Sequence, residues 1–175
     1  SQVTNPPIDS LRENKVMSLK TRFGNLGNIL DFDNLTEENI YVLDSPILTN
    51  SQFKKFKKFF SKKIKVIDCT FDIQNSLKDR IEAIREEVET AVREGSTCIV
   101  LSDKDFSSQK ASIPSILTVG AVHSHLVKHG LRGYCSLNVE CSDAMDTHSF
   151  AILIGVGATT VNPYLAIDSI YQRFE

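Results

Sequence analysis

The segment SLKDRIEAIREEVETAVREGSTCIVLS, residues 76–102, decides the fold class of this chain. Its first part repeats apolar side chains every three or four residues, which predicts an amphipathic helix. The apolar positions are Leu77, Ile81, Ile84, Val88 and Ala91. Ser76 and Asp79 resemble a capping box at the start, and Gly95 can end the helix. The following TCIVLS is apolar almost throughout, as in a strand buried on both faces, so the segment predicts a βα unit of a parallel sheet.

The same alternation continues on both sides of this segment. Further strands are predicted at 40–48, 64–71, 135–140 and 158–163. Further helices are predicted after a cap at 49–51 and at 114–130, 146–157 and 164–174, with a loop at 103–112. No Asn-Gly or Asp-Gly hairpin signal separates the strands, so right-handed βαβ units and a mainly parallel sheet are expected. A closed barrel of this type needs eight units, so the pattern predicts an open sheet or part of a barrel.

The composition describes one ordinary globular domain. The chain has 175 residues, of which 41% are hydrophobic and 24% are charged, and this suits a domain with a real core. The net charge of −2 gives no reason to expect nucleic acid or an anionic membrane as a partner. Neither a signal peptide nor a long uncharged apolar run is seen in the sequence, so a cytoplasmic location is expected.

The four cysteines are predicted to be buried, reduced thiols. They are Cys69, Cys98, Cys135 and Cys141. Three of them lie in apolar runs and none forms a CxxC pair, which disfavours a disulfide, zinc or iron–sulfur framework.

The lysine-rich stretch 54–65 surrounds an aromatic stripe. Phe53, Phe56 and Phe60 recur at positions i, i+3 and i+7 of the predicted helix. A polybasic binding site is one interpretation of the lysines. The solvated back of an amphipathic helix is preferred, because the aromatic residues keep to one side.

His125 and His129 lie four residues apart on one face of the predicted helix 114–130, which is the spacing of a helical metal site. No third ligand is evident beside them, so structural or surface histidines are preferred. The glutamates of helix 76–95 are predicted to form a solvated face, with Glu89 paired to Arg85 and Arg93. The sequence therefore predicts no catalytic residue and no metal ligand.

Two glycine-rich stretches allow more than one interpretation. In GVGATTVNP (155–163) the glycines follow a helix and precede a strand, so a turn glycine with positive φ is preferred over a phosphate loop. RFGNLGN (22–28) could form an anion nest or an ordered turn. An independent α/β enzyme or a phosphate-binding protein, using loops 103–112 and 155–163, is the rival function.

Several longer motifs resemble those of one family. They are TNPPID (4–9), VLDSPILT (42–49), CTFD (69–72), IVLSD (99–103), ASIPSILTVGAVHSHLVKHGLR (111–132) and DTHSFAILIGVGATTVNPYLA (146–166). In this order they resemble the central domain of the glutamate synthase large subunit over essentially the whole chain. The resemblance implies a barrel-related α/β fold. The expected architecture is therefore alternating βα units with a mainly parallel sheet, incomplete and TIM-barrel-like, and 1–175 is expected to be a single domain that is a fragment of the family's central domain.

The resemblance also implies a larger parent chain. That enzyme joins a glutamine amidotransferase domain, this central domain, an FMN-binding barrel with a 3Fe–4S cluster, and a β-helix. It makes two L-glutamates from L-glutamine and 2-oxoglutarate, and ammonia passes between its sites through a tunnel. The implied partners are the amidotransferase and FMN domains, with a small electron-donating subunit as a further candidate. This chain itself matches no motif for FMN, the cluster or catalysis, so none is expected here.

The resemblance finally implies a role for Thr4 and Asn5. In the family, the TNPPID segment lies close to the ammonia route, so these two residues are expected to be tunnel-wall residues. Pro6 and Pro7 fix the backbone and offer no N–H, which leaves carbonyl oxygens and the Asn5 amide to line a polar path. The alternative is a rigid turn that only positions two domains.

Overall fold

The computed structural model describes residues 19–23 and 40–174 of the chain. The chain divides into two compact units, residues 1–46 and 47–175. The expectation of a single domain is not tested by this division, and the two units are described separately below.

The described part of the first unit is a small antiparallel pair. Strand β1 (Thr21–Phe23) pairs with β2 (Tyr41–Leu43), and Arg22 lies opposite Val42. Phe23 and Leu43 are buried. The sequence predicted a strand at 40–48 but not β1, because three residues are too short to show a period.

The second unit alternates helices and strands as predicted. Its helices are α1 (Asn50–Phe59), α2 (Leu77–Arg93), α3 (Ser115–Lys128), α4 (Thr147–Gly155) and α5 (Tyr164–Phe174). Its strands are β3 (Ile64–Asp68), β4 (Thr70–Asp72), β5 (Cys98–Ser102), β6 (Lys110–Ser112), β7 (Ser136–Glu140) and β8 (Thr160–Asn162). A 3₁₀ turn at Arg132–Tyr134 precedes β7.

The main sheet is parallel and has the order β3-β5-β7-β8. Ile47, just before α1, makes a parallel bridge to Val161 of β8. The first segment of this unit therefore pairs with its last strand, while β3 forms the far edge. This confirms the predicted α/β class and is consistent with a partial TIM-barrel-like arrangement.

The two faces of the main sheet differ in character. Side chains alternate along a strand, so Ile99 and Leu101 of β5 point to one face and Val100 to the other. The first face joins the apolar cluster that α2 and α3 cover, with Ile84 and Val88 buried in it. The opposite face is also buried but carries polar side chains, among them Asn138 and Thr160 at 0% exposure. The polar groups of this unit are thus held inside the fold and must find partners there.

Helix starts follow the local sequence. Thr49 accepts a hydrogen bond from the Gln52 amide, and the Gln52 side chain accepts one from the Thr49 amide, which completes a capping box on α1. Ser76 caps α2 through the Asp79 amide at 3.3 Å, as predicted. Gly95 follows α2 with φ of +97°, a conformation that suits glycine.

The predicted strand 64–71 is corrected by the structure. It breaks into β3 and β4, because the Asp68 carboxylate accepts hydrogen bonds from the Thr70 amide and hydroxyl at 2.9 and 2.7 Å. This local turn redirects the chain. β4 then pairs antiparallel with β6, which lies inside the predicted loop 103–112. Among the residues that the structure describes, no helix is both long enough and apolar enough to cross a membrane.

Candidate functional site

Polar side chains collect where the parallel strands end. Ser102 is the last residue of β5 and Asp103 follows it, while Glu140 ends β7 and Asn162 ends β8. Parallel strands end at the same edge of a sheet, so these groups lie at one edge, and ligands of open α/β sheets bind at this edge. We call Lys57, Ser102, Asp103, Lys104, Glu140, Ser142, Asn162 and Tyr164 the carboxyl-edge cluster.

Glu140 is the centre of the carboxyl-edge cluster. Its side chain is 3% exposed and lies 2.9 Å from Lys104 Nζ and 3.1 Å from Lys57 Nζ. Ser102 Oγ donates to its other oxygen at 2.9 Å. Burial alone would raise the pKa of Glu140, but the Lys104 hydrogen bond, the Lys57 charge and the Ser102 hydroxyl together hold the pKa below its ordinary value. Glu140 is therefore a fixed anion with its charge compensated.

Asp103 lies beside Glu140 and is also buried. Its Oδ2 accepts hydrogen bonds from the amide and the hydroxyl of Ser142 at 2.9 and 2.6 Å. Its Oδ1 and the Tyr164 hydroxyl make no hydrogen bond of standard geometry within the described part of the chain, although Asp103 and Ser142 lie close enough to the phenol to affect its pKa. Burial, followed by the Asp103 charge, raises the pKa of Tyr164, so this phenol stays protonated. Lys104 Nζ lies 4.8 Å above the Tyr164 ring.

Amide side chains join the first and last segments of the unit. Asn162 Nδ2 donates to the Leu48 carbonyl and to Asn50 Oδ1, both at 2.9 Å. Asn50 Nδ2 in turn donates to Asp168 of α5 at 2.6 Å. These bonds fix the start of α1 against β8 and α5.

The chemistry available at the carboxyl-edge cluster is limited by this pairing. A general base needs a carboxylate that can take up a proton near neutral pH, and Glu140 has a lowered pKa. The nearby thiol of Cys141 is buried, and burial raises its pKa to about 12, so it is not a ready nucleophile. The charged pairs and hydrogen bonds thus favour a structural role for this edge.

All four cysteines are buried and free, as the sequence predicted. Burial raises the pKa of Cys98 to about 12 and also raises the pKa values of Cys69 and Cys135. Within the described residues, the cysteines do not gather into a set of thiols that could hold an iron–sulfur cluster.

The turn at 155–163 has no free amides to offer a phosphate at its centre. Gly157 has φ of +124°, as the preferred interpretation predicted. The amides of Gly157, Ala158 and Thr159 donate to the carbonyls of Ile154, Leu153 and Leu137. Arg132 donates to the Gly157 carbonyl at 2.9 Å, so its guanidinium is also engaged. The rival phosphate-binding interpretation is therefore disfavoured, because the amides and the guanidinium that would bind a phosphate already donate to carbonyls.

The predicted tunnel-wall residues Thr4 and Asn5 lie outside the described residues, as do residues 24–28 of the RFGNLGN stretch. The structure therefore does not test the ammonia-path expectation or the anion nest. The aromatic stripe of the lysine-rich helix is described: Phe53 and Phe56 are buried, whereas Lys54 and Lys55 are exposed. This agrees with the solvated-back interpretation for these two lysines, whereas Lys57 is half-buried and pairs with Glu140.

His125 and His129 gain a third neighbour that the sequence did not reveal. Glu89 of α2 approaches them, with its Oε2 2.6 Å from His125 Nε2. Glu89 also pairs with Arg93 at 2.7 Å, as predicted, whereas Arg85 donates to His125 Nδ1 at 3.4 Å instead of pairing with Glu89. Hydrogen bonds from Arg93 and then His125 lower the pKa of Glu89.

Sequence reasoning did not single out the residues of the carboxyl-edge cluster. A signal was available, because Ser102, Asp103 and Glu140 are polar residues directly at the ends of apolar strands. Lys57 and Tyr164 gave no such signal, since their contribution depends on how distant segments pack.

Comparison with known proteins gives one consistent result. The family model described as glutamate synthase central domain matches residues 1–175. The chain is 51% identical to the glutamate synthase [NADPH] large chain of Azospirillum brasilense, over 99% of this chain and 12% of that protein. It is 39% identical to the chloroplastic ferredoxin-dependent glutamate synthase of Spinacia oleracea (98% and 11%) and 38% identical to the Bacillus subtilis large chain (100% and 11%). The chain thus spans about an eighth or less of the length of these relatives.

Proposed function

This chain belongs to the glutamate synthase central domain family, and from that membership we propose that it is the linking, ammonia-channelling domain of a glutamate synthase large chain. The parent enzyme would form two L-glutamates from L-glutamine and 2-oxoglutarate. The observation that carries the proposal is the family match over all 175 residues, combined with relatives that are about eight times longer.

The geometry of the second unit supports a scaffold role for this domain. The charge of Glu140 is compensated by Lys57 and Lys104, so the polar groups of the carboxyl-edge cluster are paired with one another. Such an edge can hold neighbouring segments at a fixed distance without reacting. The independent-enzyme alternative would need a reactive group at this edge. The pKa of Glu140 is lowered, which disfavours a general base, and the pKa of Cys141 is raised, which disfavours a nucleophilic thiolate.

The parent cofactors fit other parts of the parent chain better than this one. FMN and a 3Fe–4S cluster would carry electrons in the synthase domain, and the described cysteines of this chain do not form a ligand set for a cluster. The proposed partners are the amidotransferase and FMN-binding domains of the same chain, together with a small electron-donating subunit. A cytoplasmic location is also part of the proposal, and reduced buried cysteines are typical of such a compartment.

Within this proposal, Thr4 and Asn5 line the ammonia path. A narrow channel for ammonia needs a rigid wall with acceptors and few competing donors. Consecutive prolines at positions 6 and 7 provide rigidity and remove two backbone donors. The Asn5 side chain then supplies one amide at a defined position.

The experiment is the substitution Asn5→Leu in the full-length synthase. If Asn5 lines the path, a bulky apolar side chain obstructs transfer and leaves the distant reaction centres in place. Glutamine hydrolysis then exceeds 2-oxoglutarate consumption, and the ratio of the two rises above one. Asn75→Leu, an exposed asparagine elsewhere in the chain, is the matched control and should keep the ratio at one.

A purely positioning role for this segment predicts a different result. Misplacing reacting groups by about 1 Å can cost roughly a hundredfold in rate, and both half-reactions would fall together. A ratio that stays at one in Asn5→Leu while total activity drops would reject the tunnel-wall role.

A further inference from the structure

Three side chains that commonly bind metals meet on the outer side of two packed helices. Glu89 comes from α2, His125 from the last turn of α3, and His129 from the residue that directly follows α3. One candidate ligand atom from each residue lies within 4.8 Å of the other two. We call Glu89, His125 and His129 the α2–α3 triad.

The spacing of the α2–α3 triad is close to that of a zinc site. Zinc bonds of about 2.1 Å in a tetrahedral site separate neighbouring ligand atoms by roughly 3.4 Å. Glu89 Oε2 lies 2.6 Å from His125 Nε2, and one candidate ligand nitrogen of His129 lies within 4.8 Å of the ligand atoms of the other two residues. The first distance is shorter than the tetrahedral value and the second limit is longer, so side-chain rotations are needed to admit an ion.

Two surrounding hydrogen bonds orient the ligands. Arg93 donates to Glu89 Oε1 at 2.7 and 2.9 Å, which leaves Oε2 facing the imidazoles. His129 Nδ1 lies 2.8 Å from the His125 carbonyl and can donate to it, and this tautomer leaves the Nε2 lone pair for a metal. Carboxylates and imidazoles in zinc sites are generally held by such outer contacts.

The position of the triad provides a route for the ion and a water. The side chains of His125, Glu89 and His129 are 10%, 21% and 35% exposed. The site is therefore open at His129 and closed at His125. Three protein ligands with one open position are the usual composition of a zinc site that keeps a bound water.

Two contacts oppose metal binding and must be given up. His125 Nε2 and Glu89 Oε2 share a hydrogen bond of 2.6 Å, and the ion would replace it by binding both atoms. Arg85 Nε donates to His125 Nδ1 at 3.4 Å. When His125 Nε2 binds a metal, the ring proton moves to Nδ1, and this nitrogen no longer accepts. The Arg85 contact is long for a hydrogen bond, so its loss costs little.

We propose that Glu89, His125 and His129 bind one zinc ion, with water as the fourth ligand, and that the ion fastens α2 to α3. The nitrogen and carboxylate donors suit zinc better than calcium or magnesium, which prefer oxygen alone. This inference is independent of the ammonia path.

The test compares His129→Ala and Glu89→Gln with the wild type in the full-length protein. His129 is at the exposed end of the triad, so its removal disturbs little packing, and Glu89→Gln keeps the shape while removing the charge. Each protein is dialysed against zinc held at a fixed free concentration by a chelator, and bound zinc is counted by element-specific mass spectrometry. We expect the wild type to bind one more zinc ion per chain than either variant does. If a variant still binds this ion, its dissociation constant for zinc should be at least tenfold higher than that of the wild type.

His148→Ala is the matched control, since His148 is an exposed histidine on a different helix. It should bind as much zinc as the wild type. Thermal unfolding adds a second measurement: zinc should raise the melting temperature of the wild type and of His148→Ala, but not that of His129→Ala. Equal zinc content and affinity in wild type and His129→Ala would overturn the proposal, as would a wild type that binds no zinc at micromolar free concentration.

Discussion

A buried carboxylate is tolerated in this fold because its surroundings stabilise the charged form. Glu140 is almost fully removed from water, which by itself disfavours ionisation. Lys104, Lys57 and Ser102 reverse that preference. The two lysines are 44% and 32% exposed, so they keep part of their hydration and the pair avoids the full cost of a buried ion pair.

Replacing Glu140 with Gln should lower the free energy of unfolding by about 1–3 kcal/mol at pH 7, since two lysines lose their anion. The folded-state pKa of Glu140 is lowered, so its stabilisation is present above the ordinary glutamate pKa and is lost as the pH falls through the lowered value. The difference between wild type and Glu140→Gln should therefore be constant from pH 7 to about pH 5 and shrink below that.

Urea unfolding across this pH range measures the difference. Glu86→Gln is the control, because Glu86 is an exposed glutamate on α2 and should change stability little at any pH. A Glu140→Gln difference that stays constant or grows as the pH falls toward 3 would contradict this account of Glu140.

At the scale of elements, the sequence predicted those helices and strands whose formation depends on residues close together in the chain. The helices α1 to α5 were found because apolar spacing and caps such as Ser76 act within a few residues. Strand β5 was found because five consecutive residues are buried, Cys98–Ser102. In each case the pattern of apolar residues that identifies the element lies within the element's own sequence.

The break between β3 and β4 and the whole of strand β6 were missed for a physical reason. Strands β4 and β6 have three residues each, and their pairing joins Thr70 to Ser112 across about forty residues of chain. β-Structure of this length is stabilised by its partner and not by its own sequence. The same limit applies to the candidate site: Glu140 could be suspected from its place at a strand end, whereas Lys57 required knowledge of where α1 packs.

The connection between α4 and β8 depends on a glycine, and Gly157→Ala should destabilise the protein. Gly157 has φ of +124°, and an added Cβ would lie 2.4 Å from the His123 ring on α3. The backbone strain alone is worth roughly 1–2 kcal/mol, and the clash adds to it. We expect a loss of about 2–4 kcal/mol in the free energy of unfolding, measured by chemical denaturation.

Gly120→Ala is the matched control for this substitution. Gly120 lies within α3, and an added Cβ would have nothing within 4 Å. Because alanine favours a helix interior over glycine, Gly120→Ala should stabilise by about 0.5–1 kcal/mol. If both substitutions change stability in the same direction, the positive φ and the contact with His123 do not govern this turn.

At the scale of the whole 47–175 unit, the first segment of the unit pairs with its last strand, β8. Ile47 pairs with Val161, and the Leu48 amide donates to the Val161 carbonyl at 2.9 Å. The order of parallel segments therefore runs from β3 through β5, β7 and β8 to the segment that begins the unit. Such a closing contact joins residues more than a hundred positions apart. Joining such distant segments carries a loop-closure entropy cost, which favours forming this contact together with the pairing of the intervening strands.

This topology predicts that the closing contact belongs to the cooperative core of the unit. Asn162 holds it through a buried hydrogen bond to the Leu48 carbonyl and a partly buried one to Asn50. Asn162→Ala leaves these acceptors without a donor, so the free energy of unfolding should fall by roughly 2–3 kcal/mol. Native-state hydrogen exchange should then accelerate equally at the amides of Leu48 and Val100, because both open only with the whole unit.

Asn75→Ala, at an exposed turn, is the control and should accelerate exchange at neither amide. If Asn162→Ala accelerates Leu48 alone, the first and last segments open locally and the closure is not part of the cooperative core.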